Sequence, residues 1–443
     1  MGCLGLMTLP ADAQTLEEAL VSTYLTNPEL EAQRAALRAT DELVPEALSD
    51  WRPTVRVDST AVGADIDSPA SEGTLGTLSS SLVIDQDIYN GGETIANTSR
   101  AESLVRVDRA RLQATEQDVL LDAVTAYTDL LTALAVLELA IQNESRLQRQ
   151  LQATRDRFEV GEVTRTDVAQ AEARLAGALS DRTQAEGAIR SAEATYRAVI
   201  NQEPVRLTAP PRLTDLPPRE EEAQELAQSF NPTITAAQYN LQAARSGVDV
   251  AESALLPRLS FRGELTYTEE PSLALDWQRV ASVGANLTVP LYQGGAEYSR
   301  VRQTKHVFRQ RREDLETAYR LVREEVTDAW QTMMTATATI ESIGEQVRAA
   351  EIALEGSRQE ALVGQRTVLD VLDQEQDLFE AEVDLVRAQR AQIIASYRLK
   401  SAIGQLTAEG VGLPVEPYDP GAHYDRVRDR WFGLGPEIGD DRE

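Results

Sequence analysis

Two hydrophobic periodicities alternate along the chain, and each appears twice. Through Leu120, Val124, Tyr127, Leu131 and Leu134, then Leu137 and Ile141, apolar residues fall three or four apart. That is the spacing of a helix with a narrow apolar seam. No proline or glycine interrupts the 65 residues from Glu93 to Arg157, which at 1.5 Å per residue gives a helix of about 100 Å. A counterpart from Ala296 to Val363 carries only Gly344 and Gly356. Glycine follows each at 161 and 364, and return helices are predicted over about 167–201 and 370–403. Each pair reads as an antiparallel helical hairpin, with Gly161 and Gly364 permitting the positive φ of a tight tip turn.

The second periodicity has a repeat of two, the mark of a strand with one apolar and one polar face. Leu259, Phe261, Leu265 and Tyr267 alternate with Ser260, Arg262, Glu264 and Thr266. Ala281, Val283, Ala285, Leu287, Val289 and Leu291 alternate with Ser282, Gly284, Asn286 and Thr288. Weaker versions occur at Val55, Val57 and Ala61 and at Leu82, Ile84 and Ile88. Strands are therefore predicted near 54–62, 79–89, 259–267 and 281–291. Strands of about 9–11 residues patterned in this way suit a membrane barrel. They equally suit a half-buried sheet in a soluble protein, which the pattern alone favours.

The recurrence is a duplication. Asn27-Pro28 returns as Asn231-Pro232, Glu17-Glu18-Ala19 as Glu221-Glu222-Ala223 and Pro53 as Pro257, at an offset of 204. Tyr89-x-Gly91-Gly92 returns as Tyr292-x-Gly294-Gly295, Val160-Gly161 as Val363-Gly364, Asp167-Val168 as Asp370-Val371 and Ile200-x-Gln202 as Ile403-x-Gln405, at 203. One residue of slippage over such a span marks a tandem repeat of about 200 residues, far longer than a solenoid repeat. Each unit opens with a helical stretch, Leu16–Ala47 or Arg219–Ala254, closed by a proline. The Gly91-Gly92 and Gly294-Gly295 pairs turn strand into helix. The predicted organisation is a signal remnant at 1–14, a first repeat over 15–203, a proline-rich linker at 204–218, a second repeat over 219–408 and a surface tail at 409–443.

Composition removes several function classes. Seventy-two acidic against 43 basic residues give a net charge of −29 in 443 residues, which opposes binding to nucleic acid. One cysteine and two histidines leave little basis for a disulfide framework or a metal site. No cofactor is expected. Met1 to Pro10 is apolar and uncharged, and Ala11-Asp12-Ala13 has the small-x-small form of an export cleavage site, although no basic residue precedes Arg34. The mature chain would begin near Gln14, without Cys3. The longest apolar run, Leu130 to Ile141, has 12 residues and contains Glu138, short of the ~20 that span a bilayer. Signatures of hydrolases, P-loops and zinc proteases are absent, so no enzyme is expected.

Two units of helix, strand pair, Tyr-x-Gly-Gly and long hairpin resemble the TolC family of outer-membrane efflux and secretion ducts. The resemblance runs from about Thr15 to Leu406. It is most telling at Val363-Gly-Gln-Arg-Thr-Val-Leu-Asp-Val-Leu-Asp373 and Lys400-Ser-Ala-Ile-Gly404. It implies a mainly α fold with a membrane β-barrel: a homotrimer joins a 12-stranded barrel in the Gram-negative outer membrane to an α-helical barrel in the periplasm. It also implies an inner-membrane transporter and a periplasmic adaptor as partners, and it reverses the preference for a soluble sheet.

By the same resemblance Asp370 and Asp373 match constriction aspartates. At i and i+3 they share a helix face, so three chains would set two carboxylate rings that raise one another's pKa and attract cations. Asp377, Glu380 and Asp384 extend the stripe, as an acidic lining or an ordinary solvated face. Arg366 matches a tip arginine and Asp167 its acidic partner in a gate latch, a breakable contact of ~0–1 kcal/mol in wet surroundings. The family's tip tyrosine is replaced by Ala361, so one latch bond is missing. Tyr127 and its repeat mate Trp330 read as seam residues. The function expected is a passive duct exporting proteins or small molecules. The rival is a soluble periplasmic coiled-coil adaptor, although such adaptors usually carry one hairpin.

Overall fold

A computed structural model of the chain describes residues 14–69, 71–211, 213 and 215–435. Cys3 and the expected cleavage site at Ala11-Asp12-Ala13 lie outside these residues, as does the end of the expected tail. The first repeat runs α1 (Leu16–Thr26), α2 (Pro28–Asp41), α3 (Leu43–Leu48), β1 (Thr54–Ser68), β2 (Ser71–Asn90), α4 (Glu93–Glu159) and α5 (Arg165–Ile200). The second runs α6 (Glu220–Phe230), α7 (Pro232–Ser253), β3 (Arg258–Ser272), β4 (Leu275–Thr288), α8 (Ala296–Leu362) and α9 (Val368–Ala402). Short helices α10 (Ala408–Val411) and α11 (Ala422–Val427) follow. The fold is a duplicated unit of two strands and a long helical hairpin.

Each opening helical stretch is split, where the sequence pattern implies one run. Asn27 and Asn231 are extended, at φ −71°, ψ 123° and φ −68°, ψ 124°, because the following proline disfavours helix there. The same asparagines start the next helix. Asn27 Oδ1 accepts from the amides of Glu29 and Leu30, and Asn231 Oδ1 from that of Thr233 at 2.9 Å.

Two units divide the chain. One contains residues up to Gln33, 111–233 and 319–418, and its core is helical. Leu120, Val124 and Tyr127 of α4, the first half of the seam read from the sequence, are buried with Ala123 and Leu130, whereas Leu134 and Ile141 of its second half are exposed within the chain. α4 contains an 18-residue window of mean hydropathy 1.6, apolar enough to cross a membrane by composition, and a third of that window is buried within the chain. Ala140, for example, meets Phe379 and Val383 of α9. Tyr127 does more than fill the seam. Its hydroxyl lies 2.9 Å from the Gln14 carbonyl and 2.7 Å from that of Thr208, and accepts from the Thr208 amide at 3.1 Å. Gln14 in turn bridges to Leu207, so the expected linker is fastened over the tyrosine ring.

The other unit holds 34–110, 234–318 and the chain from 419 on, and contains one antiparallel sheet of order β1-β2-β3-β4. The strands, of 15, 20, 15 and 14 residues, outrun their predicted lengths, with β1 pairing β2 from Thr54↔Asp85 to Ser68↔Ser71. At its far end β4 instead stops at Thr288, short of the predicted 291, where Pro290 cannot donate to the ladder. The register sorts the faces. Val55, Ile84 and Val283 stand on one, as do Val57, Leu82, Leu265 and Ala281. Arg56, Glu264 and Ser282 stand on the other, with Asp58, Ser81 and Thr266. The apolar face is uncovered within the chain, with Val57 69% and Val283 88% exposed. On the polar face Arg56 bonds Asp85 at 2.7 Å and Asp58 at 3.1 Å. Strands β1 and β4 each leave one edge unpaired.

The stretch from 409, expected as a surface tail, is mostly exposed over its described residues but is fastened at several points. In the helical unit the Ala408 amide donates to Glu116 at 2.6 Å and the Tyr418 amide to the Tyr24 hydroxyl at 2.9 Å. In the sheet-bearing unit Val427 is buried and His423 pairs with Asp41 at 3.0 Å.

Candidate functional site: the hairpin turns and the sheet

Both hairpin turns belong to the helical unit, and they are built alike. Each long helix ends in a Schellman turn. Gly161 donates to Phe158 O at 3.0 Å and Glu162 to Arg157 O at 2.9 Å, while Gly364 donates to Ala361 O at 3.3 Å and Gln365 to Glu360 O at 2.9 Å. The glycines have φ of 82° and 75°. Each return helix then starts with a capping box. Thr164 donates to Asp167 Oδ2 from its amide at 2.7 Å and its hydroxyl at 2.8 Å, and accepts from the Asp167 amide at 3.3 Å. Thr367 and Asp370 repeat this at 2.9, 2.8 and 3.3 Å.

This cap sets the charge state of Asp370. The Thr367 amide, then its hydroxyl, holds the carboxyl below the ordinary aspartate value of 3.8, assisted by Arg366. Within the chain it stays ionised, whereas carboxylate crowding alone would raise it. Asp373 accepts from Arg174 of α5 at 2.5 Å. Arg366 bonds Glu360 at 2.9 Å and lies 4.0 Å from Asp370. Asp167, capping Thr164, is not brought to it within the chain.

Two features of this region have no signal in the sequence. One is Arg174. The other is Glu375, 2% exposed in its side chain, which pairs with Arg358 of α8 and meets Arg146 of α4 at 3.3 Å without hydrogen-bond alignment. Arg146 also reaches Glu382 at 3.2 Å. A triad of this kind locks helices together only while every member remains. Around it, Leu147, Leu151, Ala171, Ala178, Val368 and Leu372 form one apolar cluster and Leu354, Val371 and Leu378 another, with Ala361 against the latter. On α9, Asp377, Glu380 and Asp384 face solvent with Gln374, Gln376 and Arg387 as partners. Among the described residues no cluster is arranged to hold a metal ion.

In the sheet-bearing unit Gly91 and Gly92 have φ of 71° and 85°, and Gly294 and Gly295 of 68° and 87°. Gly91 is also sterically required, since a Cβ there would lie 2.5 Å from the Ser253 carbonyl oxygen. Its neighbours in these pairs have open space, so conformation alone favours glycine at them.

The sequence profile of the outer membrane efflux protein family matches residues 19–202 and 224–405. Outer membrane efflux protein BepC of Brucella suis is 34% identical over 423 residues, covering 95% of this chain and 92% of that protein. Outer membrane protein TolC of Vibrio cholerae is 28% identical over 420 residues, covering 92% and 94%. Among solved structures, the CmeC outer membrane channel of Campylobacter jejuni superposes with a TM-score of 0.80 at 15% identity, over 94% of this chain and 89% of that one. The chain is an outer-membrane protein and belongs to the outer membrane efflux protein family.

Proposed function

We propose that three copies close, β4 of one chain against β1 of the next, into a 12-stranded barrel in the outer membrane. The six long hairpins would line up as an α-helical barrel in the periplasm, and the assembly would export small molecules or proteins as a passive duct. The observation that carries this reading is the sheet itself. Its two free edges need partners, and its uncovered apolar face opposite a polar one matches a barrel wall between lipid and an aqueous lumen. A soluble adaptor would leave Val57, Val283 and Leu287, all exposed within the chain, in water.

At the turns, rings of Asp370 and Asp373 would form the constriction. Arg366, paired with Glu360 inside the chain, would exchange to Asp167 of a neighbouring hairpin when the gate is latched. An inner-membrane transporter acting through a periplasmic adaptor would supply the energy to open it. The test is membrane fractionation followed by mass determination in detergent. A trimer in the outer membrane is expected, and a monomer in the soluble fraction overturns the proposal.

A further inference from the structure

The C-terminal segment from 419 is clasped to the sheet-bearing unit and, among the described residues, carries three uncovered apolar side chains at positions 431, 432 and 434. His423 holds Asp41, Arg428 bonds Glu102 at 3.3 Å, and Val427 is buried. Among the described residues, the fastening farthest along the segment is Arg52. Its Nη1 donates to the Arg430 carbonyl at 2.7 Å, and its guanidinium lies 5.0 Å from the centroid of the Trp431 ring. Beyond it Trp431, Phe432 and Leu434 are 59%, 86% and 103% exposed.

The position of Arg52 decides what these side chains meet. Arg52 stands two residues before Thr54, which opens β1. The carbonyl of its neighbour Trp51 accepts from Gln86 Nε2 at 3.2 Å. Gln86 lies two residues beyond Ile84 on β2, so it shares the apolar face of the sheet. The three apolar side chains therefore sit by the helix-side rim of that face. Tryptophan and phenylalanine at such a rim match the aromatic girdles that flank the apolar band of membrane barrels.

We propose that Trp431, Phe432 and Leu434 insert into the headgroup–acyl boundary of the periplasmic leaflet of the outer membrane. The C-terminal segment would thus be a peripheral lipid anchor at the barrel rim. This rests on the reading of the sheet as a membrane barrel wall. Continuity with the apolar face selects lipid as the occupant. An adaptor protein would instead leave the segment in water when the duct is alone in a bilayer.

The test uses the full chain carrying Cys3→Ser and one nitroxide-labelled cysteine, in phosphatidylethanolamine/phosphatidylglycerol vesicles. Collision with oxygen is compared with collision with a water-soluble nickel chelate for labels at Phe432→Cys, at Val57→Cys on the apolar face and at Ser81→Cys on the polar face. Phe432→Cys is expected to give an oxygen-to-nickel ratio near that of Val57→Cys and several-fold above that of Ser81→Cys. Arg52→Ala should lower the ratio at Phe432→Cys and leave Val57→Cys unchanged. A water-like ratio at Phe432→Cys with a lipid-like one at Val57→Cys overturns the anchor alone. A water-like ratio at Val57→Cys overturns the barrel reading and the anchor with it.

Discussion

Arg174 of α5 donates to Asp373 of α9 at 2.5 Å, so a carboxylate expected at the constriction is tied to the other hairpin's return helix. The pair is about half exposed, at 39% and 47%, which limits its worth to ~0–1 kcal/mol. Arg174→Ala should leave folding nearly unchanged and release the carboxylate. In planar bilayers the cation-to-anion permeability ratio should rise, by up to about fivefold for ~1 kcal/mol. Asp373→Ala should lower the ratio, and equal ratios in both variants would mean that Asp373 does not face the conducting path.

Within the chain Asp370 completes the capping box of α9. Its carboxyl is depressed in the folded chain, so its contribution is present above the ordinary aspartate value and lost as the pH falls through the lower folded value. The Thr367 amide, which donates to the carboxylate, should therefore stay protected from hydrogen exchange at neutral pH and lose protection only in acid below about pH 4. Asp370→Ala should expose it at neutral pH, while Asp370→Asn, which can still accept, should retain much of the protection.

Glycine substitutions should separate strain from collision. Gly364→Ala meets open space at φ 75° and should cost about 1–2 kcal/mol for its left-handed backbone. Gly91→Ala adds a collision with the Ser253 carbonyl and should lower the melting temperature considerably more. Equal losses would show that the contact relaxes freely.

Arg366→Ser should raise single-channel conductance if this side chain restrains the gate. Glu360→Gln and Asp167→Asn tell which carboxylate matters, because Glu360 is the partner within the chain and Asp167 the one proposed across hairpins. Only Asp167→Asn reproducing the effect would support the exchange. An unchanged conductance in Arg366→Ser would place the restraint elsewhere.

Tyr127→Phe removes the hydroxyl that joins Gln14 and Thr208 over α4. The Gln14 carbonyl keeps the Thr208 amide at 3.2 Å and the part-buried Thr208 carbonyl loses its donor, so the loss should be about 1 kcal/mol, read as a lower denaturation midpoint. Burial raises the pKa of this phenol, so it remains protonated beyond the range of ordinary tyrosines and the link persists in mild alkali.

The long helices, their glycine turns and the duplication were legible because each is written locally, as a 3.6-residue period, a glycine at a helix end or a matched dipeptide. The far halves of β1 and β2 were not. Past Ala61 the alternation changes phase, with Val62, Ala64 and Ile66 against Gly63, Asp65 and Asp67, and the facing stretch mixes Gly73 and Gly76 with Leu75 and Leu78, so neither continues the pattern read before it. Arg174–Asp373 and the Arg146–Glu375–Arg358 triad depend on which helices adjoin, information that no single helix carries. Likewise, charge and glycine content made the C-terminal stretch look solvated, and only the buried Asp41 beneath His423 reveals that it is held.

The matched capping boxes at Thr164–Asp167 and Thr367–Asp370 have a consequence for experiment and for descent. A chain that folds the same turn twice carries its own control. A substitution made at one copy can be read against its untouched twin in the same molecule, at the same temperature and in the same bilayer. Since the caps are alike to within 0.2 Å in every bond, divergence between the twins must lie in their surroundings, with Phe158 in one copy where Ala361 stands in the other. Duplication thus preserved the joint and left the flanks free to specialise.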